Sequence, residues 1–379
     1  ESWQLTTYEE SQTPQWFGDG LTYQIFPDRF CRLSVPDAAG MVGERVVHQK
    51  WDEPMVHRPN EKGEILNNDF FGGNFKGITQ KLPYIASLGT TILYLNPISK
   101  SFSSHRYDTG DYKTPDPMLG TEEDFVAMCE AAHERGIKVI LDGVYSHTGS
   151  DSLYFNKEGS FPGVGAYQSQ ESPYHSWYTF YQYPNNYHSW WDFDTLPTVN
   201  KMHPDFLAYI ITDEDSVVAH WLKAGCDGFR LDVADELPDA FLDLLKKRIR
   251  QIRPDALLMG EVWEDASNKI AYGVRKRYYL GGELDGVMNY PLRRGIIEYI
   301  VNRRTDLIDY AINEVIFNMP REVRDRTLNL LGTHDTERIL TALSGVSAEG
   351  MTNAEIKELR LTDKQRALAS QRLISAYTV

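Results

Sequence analysis

The chain has 379 residues, 41% hydrophobic and 25% charged, which is enough for a core larger than most single domains carry. Its 54 Asp and Glu against 39 Lys and Arg leave a formal net charge of -15, which disfavours nonspecific binding to nucleic acid or an anionic membrane and points to neutral partners. No apolar run reaches the roughly 18 residues of a spanning helix, and three scattered cysteines, Cys31, Cys129 and Cys226, form neither a CxxC motif nor an even-numbered disulfide framework, so each reads as a small hydrophobe.

Residues 1–20 read as a polar lead-in. LTYQIF, from Leu21, is a strand ending at Pro27, followed by an irregular stretch rich in charge, Pro and Gly up to Gly73. GITQKLPYIASLG has helical spacing with a glycine stop, and TTILYLNP is the second strand. EEDFVAMCEAAHERG, acidic at its start and basic near its end, is an amphipathic helix that runs directly into the strand IKVILD. The alternation continues with SVVAHWLKAGC before DGFRLD, DAFLDLLKKRIRQIRP before ALLMGE, a weaker strand in LDGVMN, and RTLNLLG.

Strands separated by helices predict parallel pairing, and the seven strands predict an α/β fold of the (β/α)8 TIM-barrel type. The rhythm fails between His147 and Lys201, a stretch dense in Tyr, Trp, Ser, Pro and Gly and too long for an ordinary βα loop. The expected organisation is therefore a lead-in (1–20), the first part of a barrel (21–147), an inserted subdomain after strand 3 (148–201), and the rest of the barrel (202–379). The last segment supplies two helical stretches, including DKQRALASQRLISAYTV, but no eighth apolar strand. An open edge is one that barrels normally avoid, so the reading is that a C-terminal piece is missing or that another polypeptide supplies the strand.

Several polar residues sit where apolar strands run out, which is where a barrel assembles its chemistry. Asp142 ends the third strand, with His147 just beyond it. Arg230 and Asp232 lie two positions apart, so they share a strand face. Such a pair serves equally as a structural ion pair or as a nucleophile kept ionised by its cation. Glu261 ends ALLMGE beside Val262 and Trp263, where desolvation would raise its pKa and suit it to proton donation. His334 and Asp335 add adjacent polar groups at a further strand end.

These segments resemble the characteristic regions of the α-amylase family of glycoside hydrolases, and the local text resembles its neopullulanase, cyclomaltodextrinase and maltogenic amylase branch. FFGGNFKGI (Phe70 to Ile78), HRYDTGDY (His105 to Tyr112) and LPTVN (Leu196 to Asn200) extend the likeness from about Leu21 to the chain end. By resemblance Asp232 is the nucleophile, Glu261 the general acid/base and Asp335 the transition-state-stabilising carboxylate. Asp142, His147, Arg230 and His334 would bind the sugar beside the scissile bond, and Tyr107 would stack beneath it on the nonreducing side.

The resemblance implies hydrolysis of α-1,4 linkages, with α-1,6 linkages in range, in maltooligosaccharides, cyclodextrins or pullulan. It leaves as alternatives an α-glucosidase or transglycosylase of the same family, or a non-catalytic carbohydrate-binding fragment. No organic cofactor and no catalytic metal is implied. A structural calcium is compatible, but Ser146 stands where many α-amylases have an Asn that supports a calcium site. Asp235 stands where several relatives have a basic residue contacting the reducing-side sugar. The branch commonly carries an N-terminal β-sandwich used in dimerisation, which this sequence lacks, so a homodimer is an expectation for a full-length protein only. Expected partners are an α-linked glucooligosaccharide, with no nucleic acid and no membrane. The expected compartment is the cytoplasm, with secretion after removal of a leader as the alternative, because the sequence opens at Glu1.

Overall fold

The computed structural model describes residues 4–9, 13–37, 41–348 and 350–379. Residues 1–3 and 10–12 of the expected lead-in, and 38–40 of the irregular stretch after the first strand, lie outside the described residues.

Seven strands form one sheet: β1 (Leu21–Ile25), β2 (Thr90–Leu95), β3 (Lys138–Gly143), β4 (Gly228–Leu231), β5 (Leu257–Gly260), β6 (Gly286–Asn289) and β7 (Leu328–Asn329). They lie side by side in chain order and every neighbouring pair is parallel. Among the described residues, five of the six crossovers carry a helix, with α1 (Phe75–Ser87), α2 (Glu122–His133), α3 (Val217–Ala224), α4 (Asp239–Ile252) and α5 (Tyr290–Asn302) among them, whereas the β5–β6 connection carries the hairpin Ile270–Ala271/Val274–Arg275. The curled sheet is a (β/α)8 barrel lacking one strand, since among the described residues β1 pairs only with β2 and β7 only with β6.

Side-chain alternation explains the two faces. Leu93 and Leu95 of β2, Val139 and Leu141 of β3, Phe229 and Leu231 of β4, and Leu258 of β5 all join the large core beneath the helices. Their neighbours Ile92, Tyr94, Ile140, Leu257 and Met259 form a separate inner cluster with Met288, Leu330 and Phe17. The period of two therefore turns Arg230 inward. Phe17, from the short helix Gln15–Gly18, contributes about 1.5–3 kcal/mol by filling the inner cluster, so this part of the lead-in belongs to the core.

The helices begin where short polar side chains take up free amides. Asn74 accepts from the Gly77 amide at the start of α1, and Thr121 with Asp124 forms a capping box on α2. Among the helices after β7, α6 (Ile339–Ser344) and α7 (Asp363–Thr378) pack on α5 through Leu292, Ile296, Leu343, Ala369 and Ala376.

The 148–201 segment holds one two-stranded ribbon, Phe180–Gln182 with Asn186–Tyr187, and is tied back to the barrel by an isolated antiparallel bridge between His147 and Thr198. Its rings Tyr154, Phe155, Trp177, Tyr178 and Tyr187 are continuous with the main core. All three cysteines are free thiols, with Cys129 and Cys226 buried. Among the described residues no helix is long and apolar enough to cross a membrane.

Candidate active site

Register sets the centre of the site. Arg230 on β4 lies opposite Asp142 on β3 and Met259 on β5, one residue short of where both flanking strands release the chain. Its guanidinium, fully buried, meets three carboxyl groups: Nη1 donates to Asp142 Oδ1 at 2.7 Å and to Asp232 Oδ1 at 2.9 Å, and Nη2 forms an ion pair with Glu261 Oε2 at 2.9 Å. The last contact lacks hydrogen-bond alignment, so Nη2 and Nε both remain without a hydrogen-bond acceptor. A buried guanidinium with unused donors is a recognition element as well as a structural one.

The backbone also bends to serve this cluster. Val233, directly after Asp232, takes the left-handed conformation (φ 42°, ψ 60°), costly for a β-branched residue. That bend aims its N–H at Glu261 Oε2, 2.8 Å away, while Trp263 Nε1 donates to Oε1 at 2.9 Å. Trp263 is in turn stacked on Tyr290 with ring centroids 3.8 Å apart. Glu261 is thus clamped from both sides, and its carboxyl and that of Asp232 border the same guanidinium.

A second network joins the strands that sequence reasoning left unassigned. Tyr94 and Tyr107 both donate their hydroxyl protons to Asp142 Oδ2, at 2.6 and 2.7 Å. Gln24 donates to Asn96 Oδ1 at 2.9 Å and to His334 Nδ1 at 2.8 Å, and His334 Nε2 lies 2.6 Å from the Tyr107 hydroxyl. This pattern assigns His334 the neutral tautomer with its proton on Nε2. Burial, the main cause, agrees by pushing the His334 pKa down to about 4. Gln24, Tyr94 and Asn96 could have been found from period-two alternation, which turns them to the inner face near strand ends.

His147 and Asp335 are held differently. His147 is buried, and burial lowers its pKa to about 3. Its ring nitrogens already face protein, with Nδ1 2.9 Å from Ser146 Oγ and Nε2 3.2 Å from the Tyr107 carbonyl. A sugar hydroxyl would have to displace one of these partners. Asp335 reaches the cluster through His334, whose Nε2 is 3.2 Å from Oδ2, and its side chain is 36% exposed. Partial burial, then Glu261, pushes its pKa up to about 6.

For Asp232, burial is the largest influence and moves the pKa well up, with Asp142 and Glu261 adding to it and Arg230 opposing. The guanidinium expected to keep Asp232 ionised is shared among three carboxyl groups, so its favourable effect at Asp232 is opposed by burial and by the two neighbouring carboxyls. Asp235, a carboxylate that is not expected to make the sugar contact of a basic residue, accepts from the Tyr278 hydroxyl at 2.6 Å and pairs with Lys269. Ser146 is buried, and its hydroxyl lies 2.9 Å from His147 Nδ1. Among the described residues no group of three or more His, Cys, Asp and Glu is placed to hold a metal.

A parallel barrel whose strand ends converge acidic side chains on one buried arginine defines a class of barrel proteins with an acid-rich mouth. The sequence model of the α-amylase catalytic domain matches residues 24–362, and the chain belongs to the α-amylase family. It is 34% identical to an amylopullulanase of Thermoanaerobacterium thermosulfurigenes over 98% of this chain, spanning 21% of that protein. It is 31% identical to neopullulanase 2 of Thermoactinomyces vulgaris over 89% of this chain and 53% of that one. Among solved structures, the type III pullulan hydrolase from Thermococcus kodakarensis superimposes with a TM-score of 0.77 at 29% identity, covering 97% of this chain and 61% of that one. The chain thus spans about a fifth to a half of the length of these curated relatives.

Proposed function

We propose that this chain carries the catalytic apparatus of a retaining hydrolase of α-1,4-linked glucans, with maltooligosaccharides, cyclodextrins or pullulan as substrates and α-1,6 linkages in range. The observation that carries this reading is the single buried guanidinium of Arg230 bordered by Asp142, Asp232 and Glu261, with two nitrogens still lacking a hydrogen-bond acceptor. Similarity to proteins named amylopullulanase, neopullulanase and pullulan hydrolase supports the substrate class.

In this reading Asp232 attacks the anomeric carbon while Glu261 gives its proton to the departing glycosidic oxygen, leaving a glycosyl ester on Asp232. Glu261 then takes a proton from water, whose oxygen displaces Asp232 and restores the carboxylate. Arg230 and His334 offer donors to the sugar and its developing charge, and Asp335 faces the same space. Tyr107, its hydroxyl anchored on Asp142, offers a ring edge and face for sugar C–H groups. No step is routed through a metal or an organic cofactor.

The test is to follow maltotriose, β-cyclodextrin and pullulan by proton NMR from the first turnover. Initial release of the α-anomer supports the double displacement, and the ranking of rates identifies the preferred substrate. Initial release of the β-anomer would show inversion and overturn the nucleophile assignment, and the absence of products from all three would overturn the hydrolase reading.

A further inference from the structure

The connection from β5 to β6 starts at Glu261 and folds into the hairpin Ile270–Ala271/Val274–Arg275. Tyr272 and Gly273 close it, both at positive φ (51° and 77°), in the short turn whose twist suits paired strands. At the hairpin base the Lys276 N–H donates to the Lys269 carbonyl at 2.9 Å, which sets the two lysines opposite each other. Like charges opposed on a ribbon repel, so this base needs partners of its own. They come from the turn that follows Asp232.

Lys269 Nζ donates to the Asp235 carboxylate and to Glu264, and the Tyr278 hydroxyl donates to Asp235 Oδ1 at 2.6 Å. Lys276 Nζ donates to the Leu237 carbonyl at 2.8 Å and lies 3.7 Å from Asp239 Oδ1. Burial opposes the Lys269 charge, yet the bonds to Asp235 and Glu264 outweigh it and raise its pKa. Burial, then the bond to Asp235, raises the Tyr278 pKa, so its hydroxyl stays a donor. With Tyr278 fully buried and Lys276 7% exposed, these bonds are shielded from the solvent that weakens surface pairs.

The gripped turn leads back to Glu261. Asp235 is the middle residue of the turn Ala234–Glu236, which is closed by the Glu236 N–H on the Val233 carbonyl at 3.0 Å and the Leu237 N–H on the Ala234 carbonyl at 3.1 Å. Its entry sends one amide to each end of Glu261: the Val233 N–H to Oε2 at 2.8 Å and the Ala234 N–H to the backbone carbonyl at 3.3 Å. The left-handed Val233 persists only where the surroundings hold it, and a displacement of Asp235 would swing the Val233 peptide with it. The connection that begins at Glu261 thus returns to fix the amide that holds the Glu261 carboxyl.

We propose that Lys269 and Tyr278 are positioning residues for the reaction: by holding Asp235 they keep the Val233 N–H on Glu261 and so fix the direction in which that carboxyl delivers its proton. This rests on the assignment of Glu261 as the acid and adds to it a route by which a remote hairpin governs proton transfer. Neither side chain touches the carboxyl itself, so each acts through the turn. A misaimed acid slows departure of a sugar, which needs the proton, far more than departure of a stable anion, which does not.

The experiment compares kcat/KM, which reports the first displacement, on maltotriose and on a dinitrophenyl α-glucoside, whose leaving group needs no protonation. Tyr278→Phe and Lys269→Met should each lower it about tenfold on maltotriose, the worth of one hydrogen bond to a charged group, and by less than about twofold on the aryl glucoside. Lys269→Arg, which keeps the charge, should recover most of the loss. Thermal melts alongside identify any variant that fails to fold, in which case Tyr278→Phe, which loses a single oxygen, decides. Equal losses on both substrates, or none on either, would overturn the positioning role. Glu261→Gln measured in parallel separates the two readings: if it keeps the split between substrates while the Tyr278 and Lys269 variants do not, only the positioning role falls, and if it too loses equally on both, the acid assignment falls with it.

Discussion

The mouth of the barrel is built in two ways. In the sector of β3, β4 and β5, Asp232 and Glu261 are each 7% exposed and share the arginine that sheet register places between them. In the sector of β7, a strand of only two residues delivers Asp335, which touches the cluster through a single histidine and stays 36% exposed. The first arrangement fixes its carboxyls by covalent spacing along paired strands, whereas the second leaves its carboxyl to a loop beside a sheet edge that is unpaired among the described residues. Positioning, more than residue type, separates the two.

The largest expected effect tests the clamped pair. Glu261→Gln should lower kcat on maltotriose by about 10²–10⁴-fold, and the deficit should shrink on an aryl glucoside whose leaving group needs no protonation; an equal deficit on both would break the acid assignment. Next, Arg230→Met leaves three carboxyl groups without their cation and should cost about 3–5 kcal/mol in denaturant unfolding. Asp335→Asn should change that stability by less than about 0.5 kcal/mol. Similar losses in both variants would erase the contrast between the sectors.

Glu283 sharpens the comparison from outside the mouth, because it is 1% exposed and neither of its oxygens accepts a hydrogen bond. Burial, then Asp239, raises its pKa to about 8. A carboxyl whose folded pKa lies above its unfolded value holds its proton in the native state, so stability falls as pH rises from the unfolded pKa toward 8. Glu283→Gln should therefore match the parent near pH 4 and exceed it at pH 8 by on the order of 1–3 kcal/mol. A difference independent of pH would refute the cause. The smallest effect follows from Asp335, raised to about 6. By the same sign the parent should lose melting temperature relative to Asp335→Asn between about pH 4 and pH 7, by only about 1–2 °C because the group is partly solvated.

Much of this was legible before any coordinates. All seven strands and the helices between them follow from apolar runs, glycine and proline stops and charge placement, because each is a local property of a short window. Arg230 and Asp232 could be placed on one face by counting, and the motif likeness named eight candidate residues. What could not be read was which of them share partners. Gln24, Asn96, Tyr107 and His334 are joined across as many as 310 positions, and Asp235 is turned away by Lys269 and Tyr278 from a later hairpin and loop.

The sequence by itself determined the order of strands and helices, the inward face of each strand and the strand ends at which carboxylates stand, since these depend on periodicities of two and 3.6 residues along one chain. Only the tertiary structure decided that one arginine serves three carboxyl groups, that burial opposes that arginine at Asp232, and that the carboxyl of the β7 sector stays partly exposed. Those outcomes depend on desolvation and on distances between segments remote in sequence, which no local window contains.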